Sequence, residues 1–218
     1  MSNQKDNVQQ EEAATYDAQR QEYGWFGPEI VFGLMYVFIK PGDSLLDIGT
    51  GTGLSAALFH KAGLQICGMD IADEMLEVCK MKGVAVDLRR HDLCQVPWPY
   101  PADFFAHAVM TGVASFIPDL EPMFDETTRV IKAGGTFAFT IEEQKQEQSK
   151  EYTIVNGQVV NSPGETAAVR IYRHSHHDVV ESLAKRGWIL LRETEFLASK
   201  YSDGGAQIFL KAYVARKG

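Results

Sequence analysis

Apolar positions along this chain follow two rhythms. Between residues 44 and 142, short apolar runs alternate with segments whose apolar side chains recur every three or four positions. Ser44–Ile48 and Gln65–Asp70 read as strands, and their unbroken apolar runs suit central strands covered on both faces. Over 53–62, Leu54, Ala57, Leu58 and Ala62 share a helical face. Asp73 stands where it can cap a second helix running to Lys82, with Met75, Leu76, Val78 and Cys79 as its apolar residues. A short third strand follows over 84–90 and a fourth over 104–110. Asp119 can cap the next helix, whose Leu120, Met123, Phe124, Val130 and Ile131 share a face and whose first turn tolerates Pro122. Ala133-Gly134-Gly135 is expected to end it, before a fifth strand over 136–142.

Upstream, 15–40 predicts one or two helices, with Pro28 suited to a start. The apolar run over 30–39 reads as a buried helix, too short for the roughly 20 residues of a bilayer span. Downstream the alternation breaks at a polar stretch, 143–150. A small hairpin is predicted from 152–155 and 158–160 around Asn156-Gly157, followed by a loop at Ser162-Pro163-Gly164. Ser175 to Asp178 forms a capping box for a helix carrying Val179, Val180, Leu183 and Ala184, and Gly187 stops it. Two strands, 188–197 and 206–214, close the chain. The short Ser202-Asp203-Gly204-Gly205 connection makes them antiparallel. Alternating strands and helices predict an α/β fold with a parallel sheet and right-handed crossovers.

Composition narrows the function. A chain of 218 residues, 45% hydrophobic, fits one α/β domain with a modest addition. Its net charge of -8 argues against a long nucleic-acid partner. Lys80, Lys82, Arg89 and Arg90 are a local basic spot that reads as solvated surface. Cys67, Cys79 and Cys94 have no metal-like spacing and read as buried or half-buried thiols in a reducing compartment. Residues 1–14 are polar and are no signal peptide, and residues 1 to about 12 read as disordered. A cytoplasmic protein with no membrane partner is expected. No His/Asp/Glu cluster has ligand spacing, so no metal is expected.

The chemistry concentrates in Asp47-Ile48-Gly49-Thr50-Gly51-Thr52-Gly53. A strand ends in a carboxylate, a turn needs glycines, and a helix begins with its N–H groups free. A dinucleotide turn wants G-x-G-x-x-G/A, but Leu54 stands where the third small residue would be. No phosphate-loop G-x-x-x-x-G-K-S/T is present. Asp47 would repel a pyrophosphate and suits a ligand with an ammonium group. Asp70 follows the turn by the roughly 20 residues expected of a ribose-binding acid at the end of strand two.

In these features the chain resembles the class I S-adenosylmethionine (SAM) dependent methyltransferases, closely over about residues 40–142 and loosely elsewhere. Asp47 to Gly53 resembles the motif that holds the methionine part of SAM, with Asp47, Gly49, Thr50, Gly51 and Gly53 as contacts. Gly68-Met69-Asp70-Ile71 resembles the second strand's end, where the acid takes both ribose hydroxyls; Ile71 and Met75 are further cofactor contacts by that likeness. His91-Asp92-Leu93 is similar to the third motif, implying that Asp92 reaches the adenine amino group and Leu93 the ring. Thr111-Gly112-Val113, followed by Ile117-Pro118-Asp119-Leu120, is similar to the fourth strand's end and the next helix. The closing antiparallel hairpin also fits. The resemblance implies a Rossmann-like, seven-stranded, mostly parallel sheet with an antiparallel last strand and helices on both faces. It implies an N-terminal helical lid within 1–40, a SAM-binding domain over 41–218, and an insertion at about 143–173.

Two departures stand out. Phe105-Ala106 stands where many relatives carry an Asp just before the fourth strand, and Ala114-Ser115-Phe116 replaces aromatic or His residues after the Gly-Val. The Asn-Pro-Pro-Tyr type motif of exocyclic-amine methylators is absent, which argues against adenine-N6 or glutamine-amide transfer.

The acceptor side is less marked. His174, His176 and His177 cluster before the capped helix; His174 is the candidate base, and the other two read as solvated first-turn residues. Tyr16, Tyr23, Trp25 and Phe26 precede the sheet; Tyr16, Tyr23 and Trp25 are cofactor-contact candidates, since aromatic faces attract a sulfonium by about 0.5–2 kcal/mol. The expected activity is methyl transfer from SAM to a small molecule. The alternatives are a SAM-binding regulator without transfer, a protein or RNA methyltransferase, and an NAD-dependent oxidoreductase.

Overall fold

The computed structural model describes residues 13, 15–22, 24–155, 158–160, 169–200 and 207–218. Its strands are β1 (Ser44–Ile48), β2 (Gln65–Asp70), β3 (Asp87–Arg90), β4 (Phe105–Met110) and β5 (Ile131–Ile141). They continue with β6 (Glu151–Val155), β7 (Gln158–Val160), β8 (Val169–Tyr172), β9 (Trp188–Lys200) and β10 (Gln207–Lys217). Helices are α1 (Gly27–Met35), α2 (Leu54–Lys61), α3 (Asp73–Lys82), α4 (Glu121–Val130) and α5 (His176–Lys185). Residues 15–22 are also helical.

Seven strands form one sheet in the order β3-β2-β1-β4-β5-β10-β9. The pairs among β1 to β5 are parallel, whereas β10 is antiparallel to both β5 and β9. This is the Rossmann-like sheet expected, with its topological reversal between β1 and β4. A separate three-stranded antiparallel sheet, β7-β6-β8, lies between β5 and α5 in the chain. Its β8 has no counterpart in the sequence reading. The turns expected at Asn156-Gly157, Ser162-Pro163-Gly164 and Ser202 to Gly205 lie outside the described residues, as do residues 1–12 and Tyr23.

Strand alternation divides the core between the two faces. Leu45, Val109, Ala138 and Val214 pack with Val31, Met35, Ala56 and Phe59 of α1 and α2. Leu46, Phe137, Phe139 and Tyr213 pack on the other face with Met123 and Phe124 of α4 and Val179 and Leu183 of α5. The rings of Phe137 and Phe139 stack at 4.7 Å, and Phe139 stacks on Tyr213 at 5.1 Å. Truncating a ring as buried as Phe124 would cost about 3–5 kcal/mol.

Several boundaries differ from the reading, each for a physical reason. α1 stops at Met35, and Tyr36 and Val37 are exposed, so the apolar run over 30–39 is not one buried helix. Asp73 is the first residue of α3 and makes no cap; Ala72 holds the cap position. Asp119 does accept the Glu121 N–H at 3.0 Å, at the start of α4. The chain turns extended directly after Val130, because Arg129 and Val130 carbonyls take the N–H groups of Asp103 and Phe104 and Phe105 then pairs with Ile131. β5 therefore begins before Ala133-Gly134-Gly135 rather than after it. Ser175 caps α5 as expected, accepting the Asp178 N–H at 3.4 Å. Cys67 and Cys79 are buried, but Cys94 is exposed. Among the described residues, no helix is long and apolar enough to cross a membrane.

Candidate functional site

The site begins with the turn after β1. Gly49, Gly51 and Gly53 have φ of 68°, 53° and 83°, a left-handed geometry that costs other residues roughly 1–2 kcal/mol. The three glycines are needed for different reasons. A Cβ on Gly49 would stand 2.5 Å from Val113 Cγ2, and one on Gly53 would stand 2.7 Å from Cys79 Sγ. A Cβ on Gly51 would meet nothing within 4 Å. Gly49 and Gly53 let the turn pack down, while Gly51 faces open space. Gly49 and Thr50 both donate their N–H groups to the Met69 carbonyl, at 2.9 and 3.0 Å, which holds the turn against the end of β2.

Asp47 is 2% exposed. Its Oδ2 accepts from Thr50 Oγ1 at 3.0 Å and from Ala56 N at 3.1 Å, tying strand end, turn and α2 together. Burial pushes its carboxyl up to about 7, against the pull of those two hydrogen bonds. Thr50, itself buried, thus spends its hydroxyl hydrogen on the turn. Asp70 answers from the end of β2: Oδ2 accepts Gly51 N at 2.8 Å and Oδ1 accepts Ala72 N at 3.0 Å. After Asp70, Ile71 is 57% exposed and Met75 is half-buried. Asp92 is half-buried beyond β3, where its Oδ1 accepts Cys94 N at 2.9 Å. Leu93 packs against the core, and its carbonyl accepts Trp98 Nε1 at 3.1 Å.

At the end of β4, Thr111 Oγ1 is buried with no partner among the described residues. An unpaired hydroxyl costs about 1–3 kcal/mol unless something completes it. Trp25 lies over this strand end. A Cβ on Gly27 would be 2.5 Å from the Trp25 ring and 2.9 Å from Thr111 Cγ2, and one on Gly112 would be 2.9 Å from the same ring. The N-terminal helical segment reaches the glycine turn through Asp17, whose carboxylate accepts from Thr52 Oγ1 at 2.5 Å and pairs with Lys82.

Beside Thr111 and Gly112 opens a cavity of about 460 Å³. Tyr16 and Trp25 line it, along with Arg20, Ser115, Glu142 and Tyr152, none of which the sequence marked as a site residue. Arg20 stands four residues after Tyr16 on a helix, a spacing that could have paired them. Glu142 and Tyr152 carried no signal, because their meeting depends on the small sheet folding back.

His174 is placed elsewhere. Its Nε2 lies 3.0 Å from the Ala114 carbonyl, burial lowers its pKa, and it lines a different cavity, of about 770 Å³, between α4 and α5. Its backbone N–H donates to the carbonyl of Glu142, a residue of the smaller cavity, at 2.9 Å. His176 is half-exposed, with 37% of its side chain accessible, and its Nδ1 is 2.9 Å from the hydroxyl of buried Tyr213. His177 is exposed, with 83% of its side chain accessible. Among the described residues, no three His, Cys, Asp or Glu side chains gather as a metal site.

This geometry coincides with what the chain is similar to. Residues 46–139 match the family model of a methyltransferase domain. The malonyl-[acyl-carrier protein] O-methyltransferase of Serratia marcescens is 31% identical over 100 residues, covering 46% of this chain and 38% of that protein. A demethylmenaquinone methyltransferase of Bacillus cereus is 31% identical over 103 residues, covering 44% of each. The chain thus spans less than half the length of these curated relatives. A SAM-dependent methyltransferase of Methanosarcina mazei superposes with a TM-score of 0.69 at 15% identity, over 84% of this chain and 96% of its own. Residues 46–139 thus match a methyltransferase domain, and the fold is that of SAM-dependent methyltransferases, whose cofactor is SAM. The residues present fit it: the open space at Gly51 admits close approach of a ligand, and the orphaned Thr111 hydroxyl awaits a partner.

Proposed function

We propose that this protein transfers a methyl group from SAM to a small-molecule acceptor. The observation that carries the reading is the adjacency of two spaces. Val113 backs Gly49 of the turn, while Thr111 and Gly112, just before it in the chain, line the cavity. A donor on the turn and an acceptor in the cavity would meet at the end of β4. The relatives' names support a compact acceptor group: one is a malonyl-[acyl-carrier protein] O-methyltransferase and the other a demethylmenaquinone methyltransferase.

In this reading Gly49, Thr50, Gly51 and Gly53 cradle the methionine end, with Asp47 beneath them. Asp70 takes the ribose hydroxyls, and Ile71, Met75, Asp92 and Leu93 frame the adenine. Thr111, Tyr16 and Trp25 border the methyl side, and the N-terminal helical segment is a lid latched by Asp17. When bound, the cofactor supplies an electrophilic methyl on a sulfonium, a group that leaves as a thioether with its electron pair. The chain's own work is then to align the acceptor and exclude water. His174 lies away from this line, so a base, where the acceptor needs one, comes from the cavity wall.

Calorimetry with SAM and with NAD tests the reading. A saturable SAM heat without an NAD heat, followed by transfer of a labelled methyl to members of a small-molecule panel, is the expected result. NAD binding without SAM binding would overturn it. SAM binding with transfer only to protein or RNA would move the acceptor to those classes.

A further inference from the structure

The cavity beside Thr111 has one charge that its walls leave unbalanced. Alternation along the small sheet puts Tyr152 and Ile154 of β6 and Val169 and Ile171 of β8 on the cavity side. With Ile208 and Leu210 of β10 they make an apolar wall. Aromatic rings from Tyr16, Trp25 and Phe116 line it as well. At about 460 Å³, it is in the size range of small-molecule sites.

Its two charged side chains are in different states. Glu142 is fully engaged: Tyr152 Oη donates to its Oε2 at 2.7 Å, and Arg173 Nε donates to its Oε1 at 2.7 Å. The Arg173 guanidinium also lies 4.1 Å from the centre of the Tyr152 ring, which locks the three groups into one unit. Arg20 has no such counter-charge. Its guanidinium lies 4.6 Å from the centre of the Tyr16 ring, and no carboxylate among the described residues pairs with it. Stacking on Tyr16 holds the fork in place, and Arg20 lines this cavity as well as a second one beside the helical segment. The wall is therefore apolar with one unmatched, pre-oriented cation.

Resting on the methyl-transfer reading, we propose that the acceptor is an apolar, ring-bearing carboxylate, lying along the β6–β8 wall with its carboxylate on Arg20. A guanidinium fork matches two carboxylate oxygens, and such charge-assisted pairs strengthen where water is scarce. A neutral amide of the same shape offers one acceptor and no charge, so the site discriminates by charge rather than by size. The methionine end of the cofactor is the other carboxylate that could reach Arg20, and the test separates the two.

The full chain is loaded with S-adenosylhomocysteine and titrated calorimetrically with benzoate, cinnamate and 2-naphthoate, each against its carboxamide. At least one acid binds about tenfold or more tighter than its amide. Arg20→Gln removes that preference and leaves S-adenosylhomocysteine affinity within about twofold, and Arg20→Lys keeps part of the preference. If no acid across the panel outbinds its amide, the proposal is overturned. It is equally overturned if Arg20→Gln weakens S-adenosylhomocysteine about tenfold, for the guanidinium then serves the cofactor. If wild type does not bind S-adenosylhomocysteine, the methyl-transfer reading itself falls and takes this one with it.

Discussion

The glycine turn and the acceptor-side cavity are built by opposite means. The turn is local: Asp47, Thr50 and Ala56 lie within ten residues and bond to one another, and Asp70 joins from the neighbouring strand. The cavity is assembled from the N-terminal helical segment, the end of β4, the small sheet and β10, segments that span most of the chain. One region is satisfied mostly by groups near it in the chain and on the adjoining strand, with Asp17 as a remote contact. The other depends on remote pieces arriving together, and among the described residues it holds a buried hydroxyl without a partner, Thr111 Oγ1, and a cation without a carboxylate, Arg20. The difference teaches that such a chain can hold the geometry of its glycine turn constant while the cavity beside Thr111 is free to vary.

Matched substitutions sharpen that contrast most strongly. Gly51→Ala puts a methyl into the open space at the turn. It is expected to weaken SAM about a hundredfold, near 2.7 kcal/mol, while costing only about 1–2 kcal/mol of stability from the left-handed backbone. Ile171→Trp fills the cavity from the small sheet instead. It should abolish turnover yet leave SAM affinity within about twofold. Calorimetry and labelled-methyl transfer on both variants check the pair, and loss of SAM binding in the Ile171 variant would merge the two regions into one.

Asp70→Asn comes next. One carboxylate oxygen becomes a donor facing the N–H of Gly51 or Ala72, and the ribose loses a charged acceptor. About a tenfold loss of SAM affinity is expected, with the cavity untouched. An unchanged titration would remove Asp70 from the cofactor site.

Asp47 gives a pH signature. Between the ordinary aspartate value of 3.8 and about 7, the folded chain holds a proton that the unfolded chain has released. Unfolding free energy therefore falls as pH rises through that window and levels off above it. Asp47→Asn lacks the titration, so its melting temperature should gain on wild type from the bottom of the window to the top. Parallel melting curves for the two proteins would show that Asp47 stays ionised.

The smallest effect concerns the latch. Asp17→Ala removes one hydrogen bond to Thr52 and one ion pair to Lys82, roughly 1 kcal/mol together. Amide exchange over residues 15–22 should quicken without SAM and slow when SAM is added. Exchange indifferent to both would exclude a lid.

The legibility of the chain follows the same division. The order of strands and helices from Ser44 to Ile141 was readable because each element buries a face with its own period, 2 or 3.6. The turn was readable because left-handed backbone at Gly49, Gly51 and Gly53 admits few other residues. Histidine clustering shows residue type but not contacts: the His174 ring meets the Ala114 carbonyl and the His176 ring meets Tyr213, partners that come from remote parts of the chain. The link of Glu142 to Tyr152 and Arg173 was not legible, because 31 residues separate Glu142 from Arg173, and no local pattern announces a pair that only the fold of β6 and β8 brings together.

Sequence alone determined the α/β alternation, the glycine turn with its carboxylates at Asp47 and Asp70, and the antiparallel end of the sheet. These rest on short-range backbone geometry and side-chain period, which the order of residues states directly. Tertiary structure alone decided which glycine faces open space, which hydroxyl lacks a partner, and which cation in the cavity has no counter-charge. Those properties are differences between a group and its neighbours in space, and the neighbours come from parts of the chain that the sequence does not set side by side.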